Sequence, residues 1–253
     1  MRLPLKILIP LSFSLVVACG SGKSSDNNKN STQGGINQNE TIQADGSNIK
    51  GVYATTLAPL NKNIHMPRIG VAAVQRDGDV FSAFLKIKSG QRGTNLRQAI
   101  YTGRRCPTIK DDLNKDAHID IQEALIAIGK IIIPLDSNVD SQLGGVNNYP
   151  MSDTMSGSYF YQATGSFDRM FADLKTPDQN EADNIVKLGP NDGLTFPGRI
   201  ILLQGANEKV FFPPTVATAE GEKVHKSIPI ACGVLWKVEK LPKELLVPGE
   251  LHL

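Results

Sequence analysis

The chain has 253 residues, with 27 Lys and Arg against 25 Asp and Glu, 40% apolar and 21% charged side chains. That much apolar material builds one or two ordinary domains with a core and excludes a chain disordered throughout. The single long apolar run lies at the extreme N-terminus, which excludes a multi-span membrane protein, and no basic cluster marks a nucleic-acid partner.

Residues 1–18 carry Arg2 and Lys6, then an apolar stretch from Ile7 to Val17, then Ala18, the order of a secretory signal. Leu15-Val16-Val17-Ala18-Cys19 resembles a bacterial lipobox. The resemblance implies export, acylation of Cys19 as the first mature residue and anchoring in a membrane; Gly20 after it resembles the outer-membrane sorting pattern. A signal cleaved without lipidation is the alternative. Arg2 and Lys6 are two of the 27 basic side chains, so the mature chain balances its 25 acidic ones and is formally neutral. If Cys19 carries lipid, Cys106 and Cys232 remain. An oxidising compartment favours one disulfide between them, with two buried free thiols as the alternative.

From residue 19 to 48 the composition is Ser, Asn, Gly, Gln and Lys with almost nothing apolar, which reads as a disordered tether. One domain is expected over 49–238, followed by a tail over 239–253 that drapes on the surface. Within the domain, strand signals fall at Gly51–Leu57, Gly70–Gln75, Val80–Ser89, Arg97–Gly103, Ile131–Asp136, Gly157–Ala163, Arg199–Gln204 and Ile228–Val238. Arg76-Asp77-Gly78-Asp79 predicts a hairpin connection. Eight or so short strands without regular intervening helices predict an all-β antiparallel sandwich or barrel. Two short helices interrupt it, one starting near Asp120 and one over Ser166–Leu174. The second puts Phe167, Met170, Phe171 and Leu174 on one face, expected toward the core.

The sharpest chemistry lies in Asp112-Leu113-Asn114-Lys115-Asp116-Ala117-His118-Ile119-Asp120-Ile121-Gln122-Glu123. Read as a 12-residue loop, it carries oxygen-bearing side chains at positions 1, 3, 5, 9 and 12 and a β-branched residue at position 8, and it resembles an EF-hand loop. Calcium needs six to eight oxygens. The resemblance implies one side-chain oxygen each from Asp112, Asn114 and Asp116, the backbone carbonyl of His118, a direct or water-mediated contact from Asp120 and both carboxylate oxygens of Glu123. Position 6 is Ala117 where Gly makes the sharp turn, so an L-residue is expected at positive φ at a cost of ~1 kcal/mol. Gly103 and Pro107 forbid a normal entering helix, while Gln122 to Lys130 can form an exit helix. An unpaired half EF-hand has no helix pair to open, so structural calcium is the expectation, not sensing.

Ile228-Pro-Ile-Ala-Cys232-Gly-Val-Leu resembles the last strand of copper/zinc superoxide dismutases and the related CHRD domains; Gly198-Arg-Ile-Ile-Leu-Leu-Gln204 resembles their preceding Gly-Arg strand, and Gln98-Ala-Ile-Tyr101-Thr-Gly the strand carrying their first copper histidines. The resemblance implies a Greek-key superoxide dismutase-like sandwich or barrel with the acidic loop inserted, and Cys106 as the loop cysteine paired with Cys232. The family's metal set does not carry over: Ala99 and Tyr101 stand at the His-x-His positions and Gln204 at a liganding His. His65, His118, His225 and His252 lack paired spacing and read as ordinary surface histidines. No Gly-x-Ser-x-Gly, phosphate-binding Gly loop or His-Glu-x-x-His is present.

These readings combine into a lipid-anchored, exported, non-catalytic binding or structural module with calcium as its cofactor. Its membrane contact is the anchor at Cys19, and an envelope protein or polymer is its expected partner. A diverged metalloenzyme and a metal-free structural lipoprotein are the alternatives.

Overall fold

The first three strands form a meander. In the computed structural model, which describes residues 50–61, 64, 70–88, 90–140, 149–176, 185–219 and 221–246, β1 (Lys50–Pro59), β2 (Gly70–Asp77) and β3 (Val80–Ile87) pair antiparallel, with Tyr53 opposite Val74 and Val74 opposite Ala83. The hairpin expected at Arg76–Asp79 joins β2 to β3, and Gly78 takes the left-handed conformation (φ 62°) that its turn requires. The expected signal segment, Cys19, the tether up to residue 48, His65, and residues 247–253 with His252 lie outside the described residues.

The remaining strands are β4 (Arg97–Tyr101), β5 (Ile131–Pro134), β6 (Tyr159–Ser166), β7 (Ile200–Gln204), β8 (Pro229–Val234) and β9 (Trp236–Val238). Their order is β5-β4-β7-β8-β1-β2-β3-β6, with β9 also on β1. All ladders between them are antiparallel. β1 is the hinge of the sheet: from Lys50 to Leu57 it pairs with β2, whereas Ala58 and Pro59 pair with Cys232 and Ala231 of β8. The sheet curls about this strand into an all-β half-barrel, as the strand spacing predicts.

The concave side is filled from both halves by Tyr53, Val74, Phe81, Ile100, Ile201 and Ile230, all essentially inaccessible to water. Helix α2 (Phe167–Lys175) closes part of it. The Ser166 hydroxyl accepts the Arg169 N–H and caps the helix, and Phe167, Met170, Phe171 and Leu174 are buried on the predicted face.

The stretch expected as one final strand divides at Leu235, whose N–H donates to the Arg199 carbonyl while its carbonyl accepts from Gly198. Beyond it the chain leaves β7 and pairs as β9 with Val52, Tyr53 and Ala54 of β1. In the described part of the tail, Leu245 is buried against Ala54, Ala73 and Phe84 on the convex side of the meander.

On the other half of the sheet, the face turned away from the central core carries Ala99, Tyr101, Ile200, Leu202 and Cys232. Helix α1 (Ile121–Ile128) lies over it with Ala124, Ala127 and Ile128 inward. Close approach is needed: a Cβ at Gly103 would sit 2.4 Å from the Ile128 carbonyl oxygen, which accepts the Gly103 N–H. Cys106 and Cys232 are disulfide-bonded with Cα atoms 5.8 Å apart, tying the connection after β4 to β8.

Candidate functional site

The acidic loop begins where Pro107 and the preceding residues bar a helix. Instead of an entering helix there is a single 3-10 turn, Ile109–Asp111, whose Asp111 carboxylate takes two hydrogen bonds from Arg105 (2.7 and 2.8 Å) and one from the Thr108 N–H. These bonds, the Arg105 guanidinium first, hold the Asp111 carboxyl far below the usual carboxylate range.

Within the loop, short polar side chains fold the backbone upon themselves. Asp112 accepts the N–H groups of Asp116 (3.2 Å) and Ala117 (2.9 Å), Asn114 Oδ1 that of Asp116 (2.9 Å), and Asp116 Oδ1 that of His118 (2.9 Å). The chain reverses through two left-handed residues, Lys115 (φ 60°) and Ala117 (φ 67°), so position 6 has the strained conformation expected of it. At the far end, Asp120 Oδ1 accepts the Glu123 N–H and caps α1, while Glu123 Oε2 accepts the Asp120 N–H, completing a capping box. The other Glu123 oxygen reaches back across the loop to the N–H groups of Leu113 (2.7 Å) and Asn114 (3.2 Å). Glu123 and Asp120 are buried, 6% and 2% exposed.

All six predicted residues therefore belong to one closed loop. The side-chain oxygens of Asp112, Asn114, Asp116, Asp120 and Glu123 accept N–H and O–H donors, and no set of three or more His, Cys, Asp or Glu side chains among the described residues has metal-holding geometry.

Residues with no local signal in the sequence brace this loop. Asn61 accepts the Ile119 N–H (2.7 Å) and donates to the carbonyls of Ile119 (2.9 Å) and Pro229 (2.8 Å). Thr215 donates its hydroxyl to Asp116 Oδ2 (2.6 Å), Asn114 donates to the Thr215 carbonyl, and Asp120 Oδ2 accepts the Ala217 N–H (2.8 Å). Burial works against ionisation of Asp116, yet the bonds from Thr215 and the His118 N–H hold its carboxyl below the ordinary range.

The histidines correct one expectation. His118 is not a surface residue: it is buried, with Nδ1 3.0 Å from the Asp116 carbonyl oxygen and its ring edge-on to Phe212 (5.8 Å between centroids). His225 packs on Phe212 as well (5.1 Å) and its Nε2 meets the Val210 carbonyl oxygen (2.7 Å). Burial against an aromatic ring, with one ring nitrogen satisfied by backbone, makes them packing residues.

Ala99 and Tyr101 face α1, and Gln204 donates to the Ser227 carbonyl. Tyr101 and Gln204 line a cavity beside α1. Comparison with family models, curated proteins and solved structures finds no match for the chain.

Proposed function

We infer that this protein is a calcium-binding, non-catalytic lipoprotein of the cell envelope, in which Ca²⁺ holds residues 112–123 as a structural cross-link. Asp112, Asn114 and Asp116 supply side-chain oxygens, His118 its carbonyl, Asp120 a direct or water-mediated oxygen and Glu123 its carboxylate. The observation that carries this reading is the return of the buried Glu123 carboxylate from position 12 to the backbone of positions 2 and 3, which closes the 12-residue loop upon itself. Positive φ at Ala117 supports the same reading. Four carboxylates within 12 residues repel one another, and a divalent cation relieves that repulsion. With no entering helix and no second such loop among the described residues, the ion stiffens one region and has no helix pair to open. Affinity falls in the range of extracellular modules, roughly 10⁻⁴–10⁻³ M.

Isothermal titration with Ca²⁺ tests the loop. The protein gives a saturable heat and the double variant Asp112→Ala/Glu123→Ala gives none; equal heats from both sink the assignment. The anchor rests on the residues around Cys19, and Cys19→Ser moves the protein from the membrane to the soluble fraction if it is correct.

One observation favours a second reading, a metal-free structural loop: its carboxylates already accept hydrogen bonds from the chain. A melting temperature unchanged between chelator and millimolar Ca²⁺ selects that reading, since a ligand bound only by the folded state must raise stability.

A further inference from the structure

Between α1 and the sheet face beneath it lies a cavity of about 460 Å³. That volume is in the range of small-molecule sites. One wall is apolar, made by Ile121 and Leu125 of α1 with Ile131 of β5 and Ala219 of the segment that crosses the acidic loop. The opposite wall is polar and comes from neighbouring strands: Arg97 and Tyr101 of β4 and Gln204 of β7. Lys130 stands exposed at the mouth.

The polar wall is incompletely satisfied. Tyr101 is 1% exposed. Burial pushes its phenol well above the ordinary value, so it stays protonated and is a donor at any physiological pH. Arg97 meets Glu222 at 2.7 Å and also bonds the Tyr149 side chain, yet Arg97 Nε and Glu222 Oε2 stay buried without partners. A buried donor left unpaired costs roughly 1–3 kcal/mol, and a ligand acceptor removes that cost. Arg97 and Lys130 outweigh Glu222, so the local charge favours an anion.

We propose that this cavity is a binding site for a small amphipathic carboxylate, with its apolar body on Ile121, Leu125, Ile131 and Ala219 and its carboxylate on the Tyr101 hydroxyl and the Arg97 and Lys130 cations. The site shares Ile121 and Gln122 with the end of the acidic loop but none of the six residues assigned to calcium, and its occupation needs no calcium.

2-Naphthoate is a suitable probe, because its ring system fits the apolar wall and its carboxylate is fixed. Titration of the protein is followed by probe fluorescence and by amide chemical shifts, in chelator and in calcium. Saturable binding in either buffer is expected, with shifts at Leu125, Lys130 and Ala219. 2-Naphthalenemethanol, which has the same rings without the charge, binds at least five-fold more weakly. Leu125→Trp fills the cavity and weakens naphthoate at least ten-fold, and Tyr101→Phe, which keeps the ring packing, weakens it several-fold. No binding up to millimolar probe in both buffers overturns the proposal, as do shifts confined to other regions or equal affinity for acid and alcohol. Should Leu125→Trp fail to fold, the Tyr101→Phe comparison and the wild-type shift map decide.

Discussion

Asn61 and Ile119 are 58 positions apart, yet the Asn61 carboxamide takes both the N–H and the carbonyl of Ile119, as a paired backbone strand does. The same amide donates to Pro229 at the start of β8. One side chain thus fixes the acidic loop to the end of β1 and to β8.

Asn61→Ala leaves three buried backbone groups without partners. Each such group costs about 1–3 kcal/mol, and partial relaxation brings the expected destabilisation to about 3 kcal/mol. Urea unfolding of the two proteins measures it, and a change within 0.5 kcal/mol counts against the bracing role.

Ala117→Gly acts in the opposite direction. Ala117 sits at φ 67°, where an L-residue is strained and Gly is not. Relief of strain exceeds the added chain entropy of Gly, and the variant gains about 0.5–1 kcal/mol. If the loop binds calcium, the same change also tightens the ion, which titration calorimetry reads separately.

The Cys106–Cys232 disulfide spans 126 positions. Closing a loop of that length stabilises by about 4–5 kcal/mol in the chain-entropy model. Reduction, or the variant Cys106→Ala/Cys232→Ala, therefore lowers the melting temperature by roughly 8–20 degrees. A shift of one or two degrees indicates that α1 and its packing on β4 and β7 hold this region by themselves.

Acid weakens the fold through Asp111. Its folded carboxyl titrates below its unfolded value because Arg105 and the Thr108 backbone bind the charged form. The contribution is complete above the unfolded pKa, near 4, and is lost as pH falls from there toward the folded value. Urea midpoints measured between pH 2 and 6 fall with acid in the wild type, and Asp111→Asn flattens that slope. Identical slopes refute the assignment.

Local pattern determined much of this molecule. Short strand signals separated by Gly, Pro, Asn and Asp located the strands, Asp-Gly marked the β2–β3 turn, and the spacing of Phe167, Met170, Phe171 and Leu174 identified the buried face of α2, because each of these signals lies within a few residues of its cause. The same holds for the 112–123 spacing and for the left-handed turn at Ala117. Cysteine count, once Cys19 was set aside by its lipobox-like surroundings, pointed to the Cys106–Cys232 pair. Only the tertiary structure decided that β1 divides its pairing between β2 and β8, that Asn61 grips Ile119, that Thr215 and Ala217 close over Asp116 and Asp120, and that His118 is buried against Phe212. Those relationships join residues 58 to 99 positions apart, or strands distant in the chain, and many of them use backbone groups that every residue carries. No periodicity records such partners. They come together when the sheet curls and carries α1 and the 212–219 segment onto one face.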